Sequence, residues 1–407
     1  MSHIVIIGAG HAGLTLAREL RHKDSECQIT LLSKETICAY YKPNLSKALS
    51  SGKTADQLIM KTAEVLSLEL NADCLGHVEV TEIQTDMQTC TYRPANSPDN
   101  NANITLHYDK LVLATGASPI HLPHSILKTT KALHINNLDD YYLFRERLSD
   151  VRSVAIIGAG YIGCELASDL SSQNIKVNVI DKGAWPLSRA VPEALGSIIQ
   201  HAMQEQQGVA WYLGKTLEMV EEAGKQFLVS LSSKEVLEVD MVISAIGLRA
   251  NIDLAKKIGA KTNIGIQVNT FSETSVPNIY ALGDCAEYQE KLLPFIAPIT
   301  LAAKSLALAL TGEAKELILP ANAVPVKISA CPIVICPSVE SRGIWEVQGS
   351  GSDLEAHFLN EQGELTGFAL TGKAVGRKME LIKQCKGLMS ANVVSEQINN
   401  RQYSQAS

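Results

Sequence analysis

Two short apolar runs, each leading straight into a glycine-spaced turn, constrain this chain more than anything else in it. Ile4-Val5-Ile6-Ile7 precedes Gly8-Ala9-Gly10-His11-Ala12-Gly13, and Val154-Ala155-Ile156-Ile157 precedes Gly158-Ala159-Gly160-Tyr161-Ile162-Gly163. Each reads as a buried parallel strand, a tight turn and the start of a helix. The glycines let the backbone turn sharply and approach a pyrophosphate, which the free N–H groups and positive dipole end of the helix receive. Two copies imply two dinucleotides on one polypeptide, with electrons passing between them.

The remainder of the composition sets bounds. A chain of 407 residues suggests two or three domains, and 46% hydrophobic with 19% charged residues is ordinary for a globular protein. A net charge of −7 argues against wholesale nucleic-acid binding. The first strand is expected within three residues of the N-terminus, leaving no room for a signal peptide. The apolar runs fall short of a membrane span. Nine cysteines, an odd number without Cys-x-x-Cys, point to free thiols in a reducing cytoplasm. Cys331 and Cys336 flank Pro-Ile-Val-Ile, a strand pattern that sends the two side chains to opposite faces.

Along the chain the expected plan is α/β: two nested Rossmann-like three-layer units and a small C-terminal α+β domain. In the first unit a helix is expected over 12–22, a strand over 28–32, a polar loop with a helix over 36–53, and a β-meander over 76–108 broken by an exposed loop at 94–103. A strand at 110–116 follows. Residues 151–247 repeat the plan, with a strand at 177–180, a meander and a strand at 241–247. Strand 279–282, Gly283-Asp284 and an alanine- and leucine-rich helix return to the first unit. The expected units are 1–114 with 248–319, then 115–247, then 320–387, and a polar tail over 388–407.

Five motifs stand in the order found in flavoprotein reductases that join FAD to a nicotinamide: GAGHAG at 8–13, LVLATGA at 111–117, GAGYIG at 158–163, SAIGLRAN at 244–251 and IYALGDCAE at 279–287. The chain resembles that family over about residues 1–315. The resemblance implies that FAD is held by Gly8, Gly10, His11, Ala12, Gly13, Ala114, Thr115, Gly116, Gly283 and Asp284, the last on the ribityl chain; an aspartate capping a helix start is the alternative reading. It places NADH on Gly158, Gly160, Tyr161, Ile162, Gly163 and Gly247. Asp181, 18 residues after Gly163, suits the ribose 2′-hydroxyl and repels a 2′-phosphate, despite Lys182 and Arg189 nearby. In the first unit the corresponding position reads as Lys34, with Glu35 beside it as the substitute acid.

Lys42-Pro43-Asn44-Leu45-Ser46-Lys47 is similar to a segment of the ferredoxin-reductase branch. There the final lysine approaches the flavin N5 and pairs with a glutamate in the helix after the second fingerprint. The implied catalytic pair is Lys47 and Glu165, with Lys42 also near the flavin. Cys38 lies off the position of the redox cysteine of NADH peroxidases and oxidases. No histidine has metal-ligand spacing, and no metal is expected.

Residues 321–337 and 343–375, with 135–148, 164–172 and 292–313, resemble rubredoxin–NAD+ reductases. The resemblance implies rubredoxin, a small acidic one-iron protein, as electron acceptor, serving membrane alkane hydroxylases in bacteria. Other iron–sulfur or flavorubredoxin partners, or a signalling role like that of apoptosis-inducing factors, are the alternatives. The basic stretch Lys373, Arg377, Lys378, Lys383 and Lys386, against the single acid Glu380, is the expected docking surface. Lys327 and Lys53 are its expected extensions.

Overall fold

A computed structural model of the chain describes residues 2–95 and 102–389. Strand β1 (His3–Ile7) leads through the first glycine turn into helix α1 (His11–Lys23), and strand β2 (Gln28–Leu32) returns beside β1 in parallel register, Ile7 opposite Leu32. β3 (Asp73–Leu75) and β4 (Lys110–Leu113) extend the sheet on its two sides. Ile4, Val5 and Ile6 are buried to 1% exposure or less, so the run has no solvent face and only a sheet covered on both sides accommodates it.

The chain leaves this unit through β5 (Ala117–Pro119) and enters a second built on the same plan. There β6 (Ser153–Ile157) runs into α2 (Tyr161–Ser171), and β7 (Lys176–Asp181), β8 (Ala210–Leu213) and β9 (Met241–Ser244) complete a parallel sheet in the order β8-β7-β6-β9. The return passes through β10 (Leu248–Ala250), antiparallel to β5. Both crossings lie side by side, and Asn251 ties them: its amide donates to the Thr115 carbonyl at 2.8 Å and its N–H to the Gly116 carbonyl at 3.0 Å. β11 (Ile279–Ala281) then pairs with β4, giving a first sheet ordered β11-β4-β1-β2-β3, and α3 (Ile296–Leu310) packs on α1.

Each unit carries an antiparallel three-stranded meander, over 78–107 and 217–239. The C-terminal unit is an antiparallel sheet of β12 (Val324–Val326), β13 (Ile333–Cys336), β14 (Ile344–Ser350), β15 (Asp353–Leu359) and β16 (Leu365–Thr371), ordered β12-β13-β16-β15-β14. Helix α4 (Lys378–Gln384) closes it through Leu381. Cys331 and Cys336 face different apolar clusters, as strand alternation requires. Among the described residues no helix is long and apolar enough to cross a membrane.

Some boundaries differ from expectation. The basic helix, expected to begin near Ala374, begins at Lys378, after a 3-10 turn over Gly372–Arg377. Asp284 lies in a 3-10 turn, Gly283–Cys285, with no side-chain cap bond; the α-helix starts only at Ile296. The tail does not begin at 388: Met389 is buried and exchanges two backbone hydrogen bonds with Leu319, 2.9 and 3.3 Å long. The expected loop at 94–103 lies partly, and the tail beyond 389 wholly, outside the described residues.

Candidate functional site

The two glycine turns share one construction. Gly8 has φ +113° and Gly158 φ +112°. The Gly8 N–H donates to the Leu32 carbonyl at 2.7 Å, and the Gly158 N–H to the Ile180 carbonyl at 2.8 Å. A Cβ on Gly8 would lie 2.0 Å from the Ala114 carbonyl oxygen; one on Gly13 would lie 1.9 Å from that of Gly8. Gly158 and Gly163 are hemmed in likewise, at 2.5 and 1.9 Å. Packing therefore requires the outer glycines. The middle ones, Gly10 and Gly160, face open space, with nothing within 4 Å of an added Cβ. Neither α1 nor α2 has a side-chain cap hydrogen bond, so among the described residues no capping side chain occupies the first N–H groups of either helix. Such a cradle fits a pyrophosphate.

Around the first cradle, Asp284 is largely enclosed. Burial pushes its carboxyl up, and the Lys42 ammonium and the His11 ring oppose that shift. His11 is itself held low by burial and by Arg18, and its Nε2 lies 3.3 Å from Thr300 Oγ1 on α3. Sequence-distant Lys42 and His11 thus lie within electrostatic reach of Asp284. Gly283 (φ +84°) presses on Ala12: a Cβ there would be 2.7 Å from the alanine methyl. Ala114, Thr115 and Gly116 form the crossing that Asn251 braces, and Thr115 Oγ1 donates to the Asn251 carbonyl at 2.8 Å.

The acid ends of the two units differ. Asp181 closes its own turn, accepting the Ala159 N–H at 2.7 Å and the Gly183 N–H at 2.6 Å. The strand register places Ser33, not Lys34, opposite Asp181, since Leu32 and Ile180 make the same bond to their glycines. Lys34 instead reaches Glu79 at 3.1 Å. Glu35 is exposed, and its Oε1 accepts the Asn137 side-chain amide at 2.7 Å. Lys182 and Arg189 are exposed and unpaired among the described residues. Gly247 keeps φ +119° at the exit of β9.

The expected ion pair between Lys47 and Glu165 does not form. Glu165 is 5% exposed and faces three donors: the Ser46 hydroxyl, the Lys327 ammonium at 2.7 Å and the Lys327 backbone N–H at 3.0 Å. Lys327 is therefore an interior cation, 25% exposed at the side chain, and does not belong to a docking surface. The reason is local: β12 ends at Val326 and delivers Lys327 onto Glu165 in the second turn of α2, while Lys47 is exposed to solvent. Three units meet at this carboxylate. One turn on, Asp169 accepts the N–H groups of Leu49 and Ser50, and Ser168 Oγ lies 3.1 Å from Ser329 Oγ. Tyr161 opens α2, its ring edge-on to Phe295 at 6.3 Å and its hydroxyl buried without a hydrogen-bond partner among the described residues. Ile162 beside it is 46% exposed.

The basic stretch is also less free than its sequence implied. Arg377 forks between Glu355 (2.6 Å) and Glu380 (2.8 Å), and Lys386 between Glu340 (3.2 Å) and Glu364 (2.9 Å). Glu380 belongs to the stretch itself, but Glu355 on β15 and the turn residues Glu340 and Glu364 do not, and local charge counting along 373–386 omits them. Lys373, Lys378 and Lys383 have no ionic partner among the described residues. Cys38 is buried, and burial pushes its thiol up, away from reactivity. Among the described residues no cluster of three or more histidine, cysteine or acidic side chains could hold a metal.

Ser46, Asp169 and Asn251 were not singled out from sequence. The available signals were Ser46 inside the lysine-flanked segment, the four-residue spacing of Glu165 and Asp169, and Asn251 at the end of SAIGLRAN.

Two uncapped glycine cradles in nested units, joined by one carboxylate-centred junction, define an oxidoreductase that handles two dinucleotides. The chain belongs to the pyridine nucleotide-disulphide oxidoreductase family, whose profile matches residues 2–307. The rubredoxin binding C-terminal domain matches residues 316–385. It is 38% identical to a rubredoxin-NAD(+) reductase of Alcanivorax borkumensis over 96% of this chain and all of that protein. It is 34% identical to a nitric oxide reductase FlRd-NAD(+) reductase of Klebsiella pneumoniae, covering 94% of this chain and 98% of that one. The covalent putidaredoxin reductase–putidaredoxin complex is similar in structure, with TM-score 0.83 and 26% identity over 94% of this chain and 93% of the other. The enzyme is FAD-dependent and takes NADH as substrate.

Proposed function

We propose that the chain oxidises NADH and passes the electrons through FAD, one at a time, to a rubredoxin docked against the C-terminal unit. The match of residues 316–385 to a rubredoxin-binding domain, on a chain with two dinucleotide cradles, carries this reading. Residues 1–114 with 248–319 would form the flavin domain, 115–247 the NADH domain and 320–387 the partner-facing domain. FAD supplies a carrier that accepts two electrons together and releases them singly. The α1 N-terminus and Gly10 would hold its pyrophosphate, and Asp284 its ribityl chain, with Lys42 and His11 favouring the carboxylate's charged form. Gly160 and α2 would seat NADH, Asp181 its ribose.

Lys47 would present a cation to the flavin from the exposed face of its turn, and Glu165 would hold that turn through Ser46. Lys327 adds a second cation at the same junction. No side chain is needed as a nucleophile; orientation and fixed charge do the chemistry. Lys373, Lys378 and Lys383, with Lys53, would steer the acidic partner. We place the enzyme in the cytoplasm, where nine free cysteines stay reduced, with an alkane hydroxylase as downstream consumer.

The 34% identity to flavorubredoxin reductases favours one second reading, a flavorubredoxin as acceptor. Cytochrome c reduction by NADH separates the outcomes. Rates that require free rubredoxin support the first reading, rates that require the rubredoxin domain of a flavorubredoxin support the second, and rates independent of both overturn the electron-transfer role.

A further inference from the structure

Asp169 is a buried carboxylate that the hydride-transfer scheme leaves without a task. It is 5% exposed, on α2 one turn beyond Glu165. Its two oxygens accept one backbone N–H each, from Leu49 at 3.0 Å and Ser50 at 2.9 Å. Both donors belong to the other unit, directly after Lys47. The Ser50 hydroxyl in turn donates to the Lys47 carbonyl at 3.3 Å, so the segment 47–50 is pinned at both ends of one short loop. Burial pushes the Asp169 carboxyl up; the Ser50 and Leu49 hydrogen bonds and the Lys47 ammonium oppose that shift. Lys47 therefore does have a carboxylate in its electrostatic surroundings, while Glu165 is committed to Lys327.

A purely structural tie would be served by any acceptor. The two N–H groups take one carboxylate oxygen each, and only a carboxylate offers both. We infer that Asp169 is a positioning residue for Lys47: its two backbone hydrogen bonds fix the 47–50 segment, so that a carboxylate on the NADH-binding helix holds the ammonium where it raises the potential of the flavin. The inference rests on Lys47 facing the flavin, as proposed above. Its consequence is a link between units, since the helix that receives the NADH pyrophosphate also holds the lysine at the flavin.

The test is the equilibrium of the FAD-loaded enzyme against a dye of known potential, followed by flavin absorbance. Asp169→Asn keeps the size but turns an NH2 group toward one of the two backbone N–H groups, releasing the segment on that side. The reduced-to-oxidised ratio at fixed poise should fall about tenfold, which is about 30 mV for a two-electron couple, with the KM for NADH within about twofold. In a Lys47→Met background the same substitution should change the ratio less than twofold, because the effect runs through the lysine. Asp169→Glu, which keeps both acceptor oxygens, should return the ratio toward wild type whatever it does to stability. If Asp169→Asn does not accumulate folded, the cycle is run with Asp169→Glu, expected to give a smaller shift that also vanishes with Lys47→Met. Unchanged ratios, or equal shifts with and without Lys47, overturn the inference. A wild type whose flavin NADH cannot reduce would instead refute the underlying functional reading.

Discussion

The first and second glycine units share their backbone to a fine degree and differ in what surrounds it. In both, the opening glycine donates to the end of the neighbouring strand and the closing glycine touches the opening one. Yet α1 buries only apolar and small residues plus Thr15, whereas α2 also buries Glu165, Ser168 and Asp169. Those three polar residues reach the 46–50 segment and residues 327–329. The acid after the second strand also differs: Asp181 braces its turn, while its counterpart is Ser33 and the nearby Glu35 is drawn off by Asn137. A shared cradle makes a dinucleotide site; the polar face of the helix behind it decides what else the site is connected to.

Removing Glu165 should break this asymmetry most. Glu165→Gln leaves the Lys327 ammonium without its counter-charge in a mostly buried place, which should cost about 3 kcal/mol of stability. Thermal unfolding of Glu165→Gln, Lys327→Met and the double variant checks it, and the double variant should recover most of the loss. A double variant as unstable as the single one would mean that the junction is held by something else.

Asp181 comes next. Asp181→Ala should raise the KM for NADH roughly tenfold, the weight of one lost charge-assisted hydrogen bond, and narrow the advantage over NADPH. Asp181→Asn keeps one acceptor for the Ala159 or Gly183 N–H, so comparing the two variants separates ribose binding from turn bracing. A wild type that prefers NADPH would refute the ribose assignment.

Charge reversal of Lys378 and Lys383 should slow rubredoxin reduction roughly threefold to tenfold at low salt and leave flavin reduction by NADH unchanged. Adding Arg377→Glu confuses this test, because Arg377 also neutralises Glu355, whose burial opposes ionisation and whose Arg377 bonds hold it low. Glu35→Ala should do least. If FAD retention by equilibrium dialysis falls more than about twofold, Glu35 leaves Asn137 and serves the ribose after all, and the two units are more alike than their hydrogen bonds indicate.

Much of this plan was legible in the residues, and for a physical reason. Strand, turn and helix of a fingerprint are set by contiguous residues, so β1, α1, β6 and α2 fall where the glycines and apolar runs placed them. Apart from shifted boundaries and the Lys34 register, the misreadings concern charge partners. Lys327 was placed on the surface because its neighbours in sequence do not include Glu165, which lies 162 positions away. Arg377 looked free because Glu355 belongs to another strand. Ion pairs are chosen by proximity in three dimensions, and a one-dimensional charge count cannot show it. Asp169 escaped for the same reason: its donors are backbone groups, which carry no residue signature.

The most direct test of the whole account is stopped-flow reoxidation of the NADH-reduced enzyme. The enzyme is mixed in turn with oxidised rubredoxin, a ferredoxin and hydrogen peroxide. The account predicts fast flavin reoxidation by rubredoxin alone, with two rubredoxins reduced per NADH and a rate that falls as ionic strength rises. Reoxidation as fast by peroxide as by rubredoxin, or no reoxidation by rubredoxin at any salt concentration, would contradict it.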